Sequence, residues 1–194
     1  MAVKTAMPLK SYADFIERYN QELNRLDEIF GKYRQCKSKC PTCCHSLIKI
    51  SYIEAYSLKK GFQQLSSKVQ TQILHNVWIN NFILKTDPSK KDDLICPLLS
   101  DDNCSLYDYK PLLCTSFGFP IFNEETVQLK ICPLNAEAEK DPRFTFLNSV
   151  SMTMLTTELT LLSAELRIEK GLKVSIDEDY SYKNVMDVLL DKSL

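Results

Sequence analysis

The chain has 194 residues, enough for one ordinary domain, and 44% of them are hydrophobic. Its 24 lysines and arginines nearly balance 25 aspartates and glutamates, so the net charge of −1 argues against nucleic acid or an anionic membrane as a partner. The sequence has no signal-peptide pattern and no apolar run of about 18 residues, so we expect a cytoplasmic protein without a membrane segment. Thiols stay reduced in the cytoplasm, which favours metal ligands or redox groups over disulfides for the eight cysteines.

The first half of the chain predicts three helices. Apolar residues three or four apart predict an amphipathic helix over residues 11–34. The run "SLIKI" is typical of a short strand, and Ser51 with Glu54 forms a capping box for a second helix that Gly61 closes. A third helix follows from Leu65, and the charged, proline-containing "TDPSKKDD" predicts an exposed linker.

The second half predicts an irregular region, a hairpin and a long helix. "SDDN" has the composition of a turn, and "IFNEETVQLKI" predicts a hairpin that leads to Cys132. Asp141 and Pro142 resemble the start of the longest helix, over residues 142–170, and a short helix ends the chain. We therefore predict a mainly α fold, in one domain of residues 1–194. Helices 11–34 and 142–170 flank an irregular cysteine-rich metal-binding centre, residues 36–132, which contains a small β-hairpin.

The cysteines form two groups separated by the linker. One cysteine alone is most often a small core residue, but the first group, "CKSKCPTCC", is polar and lacks the apolar neighbours of a core segment. Several thiolates share a small volume only when a cation offsets their charge, so we predict a metal site. The candidate ligands are Cys36, Cys40, Cys43, Cys44, Cys96, Cys104, Cys114 and Cys132.

Several residues in and beside the two cysteine groups allow more than one interpretation. Cys43 and Cys44 are adjacent, and in an extended chain their side chains point to opposite faces, so we expect them to be inequivalent. His45 is either a nitrogen ligand or, as we favour, a residue outside the ligand set. Lys110 either approaches sulfur or an anion or, as we favour, is solvated. Four glycines and two histidines argue against a phosphate-binding loop and a Ser-His-Asp hydrolase.

The pattern "CKSKCPTCC" followed by "CPLLSDDNCSLYDYKPLLCTSFGFP" resembles the YkgJ-type cysteine-cluster family, described as a zinc- or iron-chelating domain. The resemblance covers about residues 36–132. It implies that the first seven cysteines are cluster ligands or their neighbours, and Cys132 matches a cysteine that often follows. Lys110 and Thr115 stand where the family usually has arginines, which puts an anion clamp there in doubt. A similar pattern in flagellin lysine methylases suggests an iron–sulfur site used beside S-adenosylmethionine, although this chain is short for that activity.

Together these patterns predict a metal-binding protein that holds an iron–sulfur cluster, for example of the 4Fe–4S type, or zinc. We favour iron–sulfur because eight cysteines exceed the need of one structural zinc. Two functions stay open: redox or group-transfer chemistry at the cluster, and a structural zinc module for protein–protein interaction. The first implies a small-molecule partner and the second a protein partner. A pocket beside the cysteines favours the first, and a closed site favours the second.

Overall fold

The computed structural model describes residues 9–36, 40–45, 48–174 and 183–191. The fold is mainly α with small sheets, 65% helix and 9% strand, as the sequence predicts. No helix among these residues has the length and apolar character needed to span a bilayer. The described residues fall into two compact units: the first draws on the stretches 38–111 and 174–194, and the second on 9–37 and 112–173. The single domain stays a prediction.

Six α-helices and seven short strands are present in the described residues. The helices are α1 (Lys10–Phe30), α2 (Tyr52–Gln64), α3 (Ser67–Thr86), α4 (Leu112–Ser116), α5 (Met152–Glu169) and α6 (Val185–Leu190). The strands are β1 (Lys49–Ile50), β2 (Leu99–Ser100), β3 (Asn103–Cys104), β4 (Ile121–Asn123), β5 (Gln128–Lys130), β6 (Val150–Ser151) and β7 (Lys183–Asn184). Short 3₁₀ helices join them at Gly31–Tyr33, Thr42–His45, Pro88–Asp93, Tyr107–Tyr109, Pro133–Lys140 and Phe146–Asn148.

The first unit has a core built from α2, α3, α6 and the chain around the second cysteine group. Strand β1 pairs antiparallel with β7. Helix α2 begins at the predicted capping box, in which the Ser51 side chain accepts from the Glu54 N–H and the Glu54 carboxylate accepts from the Ser51 N–H. The core residues are Ile50, Ala55, Leu58, Phe62, Ile73, Val77, Leu94, Leu98, Leu106, Val185, Met186, Val188 and Leu189. Cys96 and Cys104 pack against this core, so the second cysteine group is anchored by it.

Gly61 does not end α2, contrary to the prediction, because the helix continues to Gln64. Gly61 instead lets the Tyr109 ring approach the helix backbone closely. A Cβ atom on Gly61 would lie 2.4 Å from the Cγ atom of the Tyr109 ring. The Tyr109 hydroxyl donates to the Gln64 side chain at 2.7 Å. The ring therefore packs across the helix only where a side chain is absent.

The predicted turn "SDDN" connects a two-stranded hairpin. Strands β2 and β3 pair Leu99 with Cys104 and Ser100 with Asn103. Asp101 and Asp102 between them have φ angles of 49° and 61°, as a hairpin turn with two left-handed residues requires. Aspartate tolerates this region better than most residues do, and the turn fixes Cys104 opposite Leu99.

The segment "TDPSKKDD" is more regular than a linker. Residues Pro88–Asp93 form a 3₁₀ helix, and the Asp87 side chain accepts from the Ser89 N–H at 3.1 Å. The described side chains from Pro88 to Asp93 are exposed, as the charge pattern predicts. The chain therefore turns back directly from α3 toward Cys96.

The second unit contains α1, α4, α5 and a three-stranded sheet. The apolar stripe of α1 is buried as predicted, except for Tyr33, which lies beyond the helix and is half-buried. The predicted hairpin "IFNEETVQLKI" forms β4 and β5, and β6 pairs parallel with β4. The buried residues of α5 are Leu155, Leu159, Leu162, Ser163 and Leu166.

The helix predicted over residues 142–170 begins ten residues later, at Met152. Its N-cap is Ser151, whose side chain accepts from the Met154 N–H at 3.0 Å. The helix cannot begin earlier because the residues directly before it, Val150 and Ser151, form strand β6, which pairs with β4. The helix is also not the longest, since α1 has 21 residues and α5 has 18.

Asp141 binds side chains instead of capping a helix. Its nearly buried carboxylate accepts from the Arg143 Nε at 2.9 Å and NH2 at 2.8 Å, and from the Tyr33 hydroxyl at 3.0 Å. Lys32 Nζ lies 3.6 Å away. The hydrogen bonds from Arg143, followed by the bond from Tyr33, hold the pKa of this carboxyl far below its usual value.

We predict that Gly61→Ala destabilises the protein by about 2 kcal/mol, because the methyl group overlaps the Tyr109 ring. In an unobstructed helix the same change would stabilise the protein by up to about 1 kcal/mol. A decrease in the free energy of unfolding would therefore indicate the overlap with the Tyr109 ring. Gly31→Ala is the matched control, since its Cβ meets only the movable Asp27 carboxylate. Urea unfolding measures both changes, and a stabilised Gly61→Ala protein would contradict the account.

We predict that the Asp141 contribution to stability is lost in acid. A carboxyl with a lowered pKa in the folded state stabilises fully above its unfolded pKa of about 4 and progressively less below it. Asp141→Asn therefore unfolds at a lower urea concentration than the native protein at neutral pH, and the two midpoints converge as the pH falls below about 4. Glu137→Gln, in an exposed pair with Lys140, is the control. A difference that stays constant over this pH range would refute the prediction.

Candidate metal centre

Cys43 and Cys44 lie in a tight turn and not in an extended chain. The Cys44 N–H donates to the Pro41 carbonyl at 2.7 Å, and Thr42–His45 forms a 3₁₀ helix. The alternation of side chains in an extended chain therefore does not apply to this pair, and each thiol affects the pKa of the other. They still differ in environment, because Cys44 is buried and Cys43 is half-buried.

Cys44 also contacts the second cysteine group. The Cys96 N–H donates to the Cys44 carbonyl at 2.7 Å. The neighbouring Cys96 thiol raises the pKa of Cys44. The segments on either side of "TDPSKKDD" therefore meet at this pair, while the convergence of the sulfur atoms in one metal-sized cluster stays a prediction.

Cys104 completes a group of four. It ends β3 at the position that the hairpin fixes, and its sulfur interacts with the N–H of Leu106. It also interacts electrostatically with Cys43 and Cys44. We call Cys43, Cys44, Cys96 and Cys104 the four-thiol cluster; all four are thiols without a disulfide.

The cluster disfavours uncompensated negative charge. The hydrogen bond with Cys44, and then burial, raise the pKa of Cys43. For Cys44, the bond with Cys43 lowers the pKa, but the bond with Cys96, burial and the neighbouring thiols outweigh it and raise the pKa to about 12. Burial is the main cause of the raised pKa of Cys104. Thiols gathered in this way become thiolates readily only beside a positive charge.

Lys110 supplies one positive charge. Its ammonium acts to lower the pKa of both Cys43 and Cys104, and its Nζ lies 3.9 Å from the centroid of the Tyr107 ring. The side chain is half-buried, and the solvated lysine that the sequence favours stays a prediction. In the sequence, Lys110 lies between Cys104 and Pro111. Nothing in the sequence indicates that it also lies near Cys43.

Two other candidates of the first unit lie beside this turn. The half-buried Cys40 has its Sγ 3.5 Å from the Thr42 Oγ1, a contact that orients the thiol at the start of the turn. His45 ends the turn and is exposed. His75 belongs to α3, where its ring stacks on Trp78 with centroids 6.1 Å apart.

The second unit holds the other three cysteines: Cys36 is exposed, Cys114 is half-buried on α4, and Cys132 is buried. A Cβ atom on Gly118 would lie 2.7 Å from the Cys36 Sγ, so this close approach requires glycine. The buried Asn135 organises the same region, since its amide donates to the Gly118 carbonyl and accepts from the Gln35 N–H, both at 2.8 Å. No sequence pattern identifies Asn135, because its partners are distant in the chain.

The four-thiol cluster has the donor type that zinc and iron–sulfur clusters use. Within the described ranges, however, no three Cys, His, Asp or Glu side chains already stand in an arrangement that could hold a metal ion. The donor chemistry therefore fits, and the finished coordination geometry is not preformed in this part of the chain. A single site for all eight cysteines stays a prediction.

A cavity of about 460 Å³ adjoins the cluster at Cys96. Its walls come from α3, the chain before Cys96 and the β2–β3 hairpin. The lining residues are Asn76, Ile79, Asn80, Ile83, Asp93, Leu94, Ile95, Cys96, Leu99, Asp101 and Asp102. The sequence did not indicate this cavity.

Comparisons of the chain with protein-family models, with curated proteins and with solved structures return no match.

Proposed function

We propose that this protein binds a metal through its clustered cysteines, as an iron–sulfur cluster or zinc. The observation that carries the proposal is the hydrogen bond from the Cys96 N–H to the Cys44 carbonyl, 2.7 Å long, which joins two cysteine-rich segments. Thiolates are the ligands of either centre, and four of them would satisfy it once their side chains close around the metal. The resemblance to the YkgJ-type family supports the same assignment.

The raised pKa values support a cation at this position. Neighbouring thiols oppose each other's ionisation, and Lys110 offsets only part of the charge that ionisation would create. A bound cation would favour the thiolates, and binding would be coupled to closure of their side chains around it. Such a centre supplies Lewis-acid or one-electron chemistry when bound.

We favour an iron–sulfur cluster over zinc. Cys36, Cys40, Cys114 and Cys132 are proposed as further ligands or as neighbours of ligands, and eight thiols exceed the need of one closed zinc site. The cavity at Cys96 favours redox or group-transfer chemistry over a structural zinc module, because a small molecule could reach the cluster there.

Purification without oxygen, followed by metal, acid-labile sulfide and visible-absorbance measurements, distinguishes the two centres. We expect iron and sulfide in comparable amounts with visible absorbance. Zinc without sulfide would support the alternative centre, and a protein that retains neither metal would contradict the proposal.

We predict that Cys→Ser at Cys40, Cys96, Cys104 or Cys114 abolishes metal retention, because a serine hydroxyl is a poor ligand for these metals. One of Cys43 and Cys44 should tolerate serine with most of the metal still bound. Ser105→Ala, beside Cys104, is the control for local disturbance. Metal content of protein made without oxygen is the measurement, and circular dichroism checks folding.

Full retention by all four of the named variants would refute the metal proposal. Equal loss at Cys43 and Cys44 would refute only their inequivalence, and it would indicate a cluster held by both thiolates.

A further inference from the structure

The cavity beside Cys96 has a mainly apolar lining, and its polar lining side chains include two asparagines and three aspartates. Its apolar wall is formed by Ile79, Ile83 and Leu94 with their neighbours, and no lysine, arginine or histidine of the described chain lines it. A volume of about 460 Å³ lies within the range of small-molecule sites. An apolar wall together with acceptor side chains suits a ligand that has an apolar body and a hydrogen-bond donor at one end.

Asn80 is the buried polar group of this cavity. The residue is only 7% exposed, and its amide nitrogen donates to the Ile95 carbonyl at 2.7 Å. Its amide oxygen accepts no hydrogen bond from the residues that the structure describes. By contrast, Asn76 uses both polar atoms, since it donates to the Pro97 carbonyl and accepts from Gln72. The Asn80 amide oxygen is not among the buried unpartnered atoms of the described residues, and because Asn80 lines the cavity, a ligand that donates a hydrogen bond can pair with it there.

The cavity also carries three carboxylates, from Asp93, Asp101 and Asp102, all of which are exposed. Asp101 and Asp102 are held in place by the left-handed turn between β2 and β3. Because the turn is fixed by strand pairing, these two charges are positioned before any ligand arrives. Their field favours cations and opposes anions.

We infer that this cavity binds a small organic cation, with an ammonium or a similar N–H donor group and an apolar body. The donor group pairs with the Asn80 amide oxygen and the carboxylates, and the body packs on the isoleucine and leucine wall. An alcohol of the same shape lacks the charge, and a carboxylate is repelled by the aspartates. The inference does not depend on which metal, if any, the cysteines hold.

The test uses two apolar bodies, 2-phenylethyl and 3-methylbutyl, each as the ammonium, the alcohol and the carboxylate. Binding to the full chain is followed by calorimetry and by shifts of the amide signals of Asn76, Asn80 and Asp102. We expect at least one ammonium probe to bind about tenfold or more tightly than its alcohol and carboxylate, with shifts at these three residues.

Three variants, one of which is a charge-matched control, locate the interaction. Asp101→Asn with Asp102→Asn keeps side chains that tolerate a left-handed turn, and it should weaken ammonium binding about tenfold. Asp14→Asn with Glu125→Gln removes the same charge from exposed positions outside the cavity, and it should leave binding unchanged. Ile79→Trp fills part of the cavity and should abolish binding of the probes.

Three results would overturn the inference: neither ammonium probe binds more tightly than its alcohol, the control pair weakens binding as much as the Asp101 and Asp102 pair, or the shifts lie away from the cavity. Circular dichroism of each variant excludes misfolding as the cause of a loss.

Discussion

The hydrogen bond from the Cys96 N–H to the Cys44 carbonyl, 2.7 Å long, joins two segments that are otherwise separated by α2, α3 and a 3₁₀ helix. It holds the Cys43–Cys44 turn against chain that is anchored in the core of the first unit. The thiol of Cys104 joins them because the β2–β3 hairpin fixes its position. Gathering thiols in this way raises their pKa values, and the ammonium of Lys110 offsets part of the effect. We propose that a bound metal cation offsets the rest of the negative charge that the ionised thiols would carry.

The sequence predicts well those features that depend on neighbouring residues. The buried stripe of α1 follows from apolar residues three or four apart, and the start of α2 follows from Ser51 and Glu54. The β4–β5 hairpin follows from a polar tip between apolar runs, and the turn between β2 and β3 follows from "SDDN", although the sequence predicts an irregular region there and not strands. In each case the information lies within a few residues of the element that forms. The mainly α class follows from the same local patterns.

Features that depend on distant contacts are predicted poorly. Asp141 looks like a helix N-cap, but Tyr33 and Arg143 bind its carboxylate. Gly61 looks like a helix end, but it accommodates the Tyr109 ring. Within the candidate site, spacing identifies the cysteines as a group, but the hydrogen bond between Cys96 and Cys44 and the cavity lined by α3 and the β2–β3 hairpin join residues that are distant in the chain. Tertiary contact therefore decides which cysteines meet.

The central claim is that thiolates of these cysteines hold a metal. X-ray absorption at the metal edge of protein purified without oxygen tests it directly, because the spectrum reports the atoms bound to the metal. The account predicts a shell dominated by sulfur, at about 2.3 Å if the metal is zinc. A bound metal surrounded only by nitrogen and oxygen atoms, with no sulfur neighbour, would contradict it.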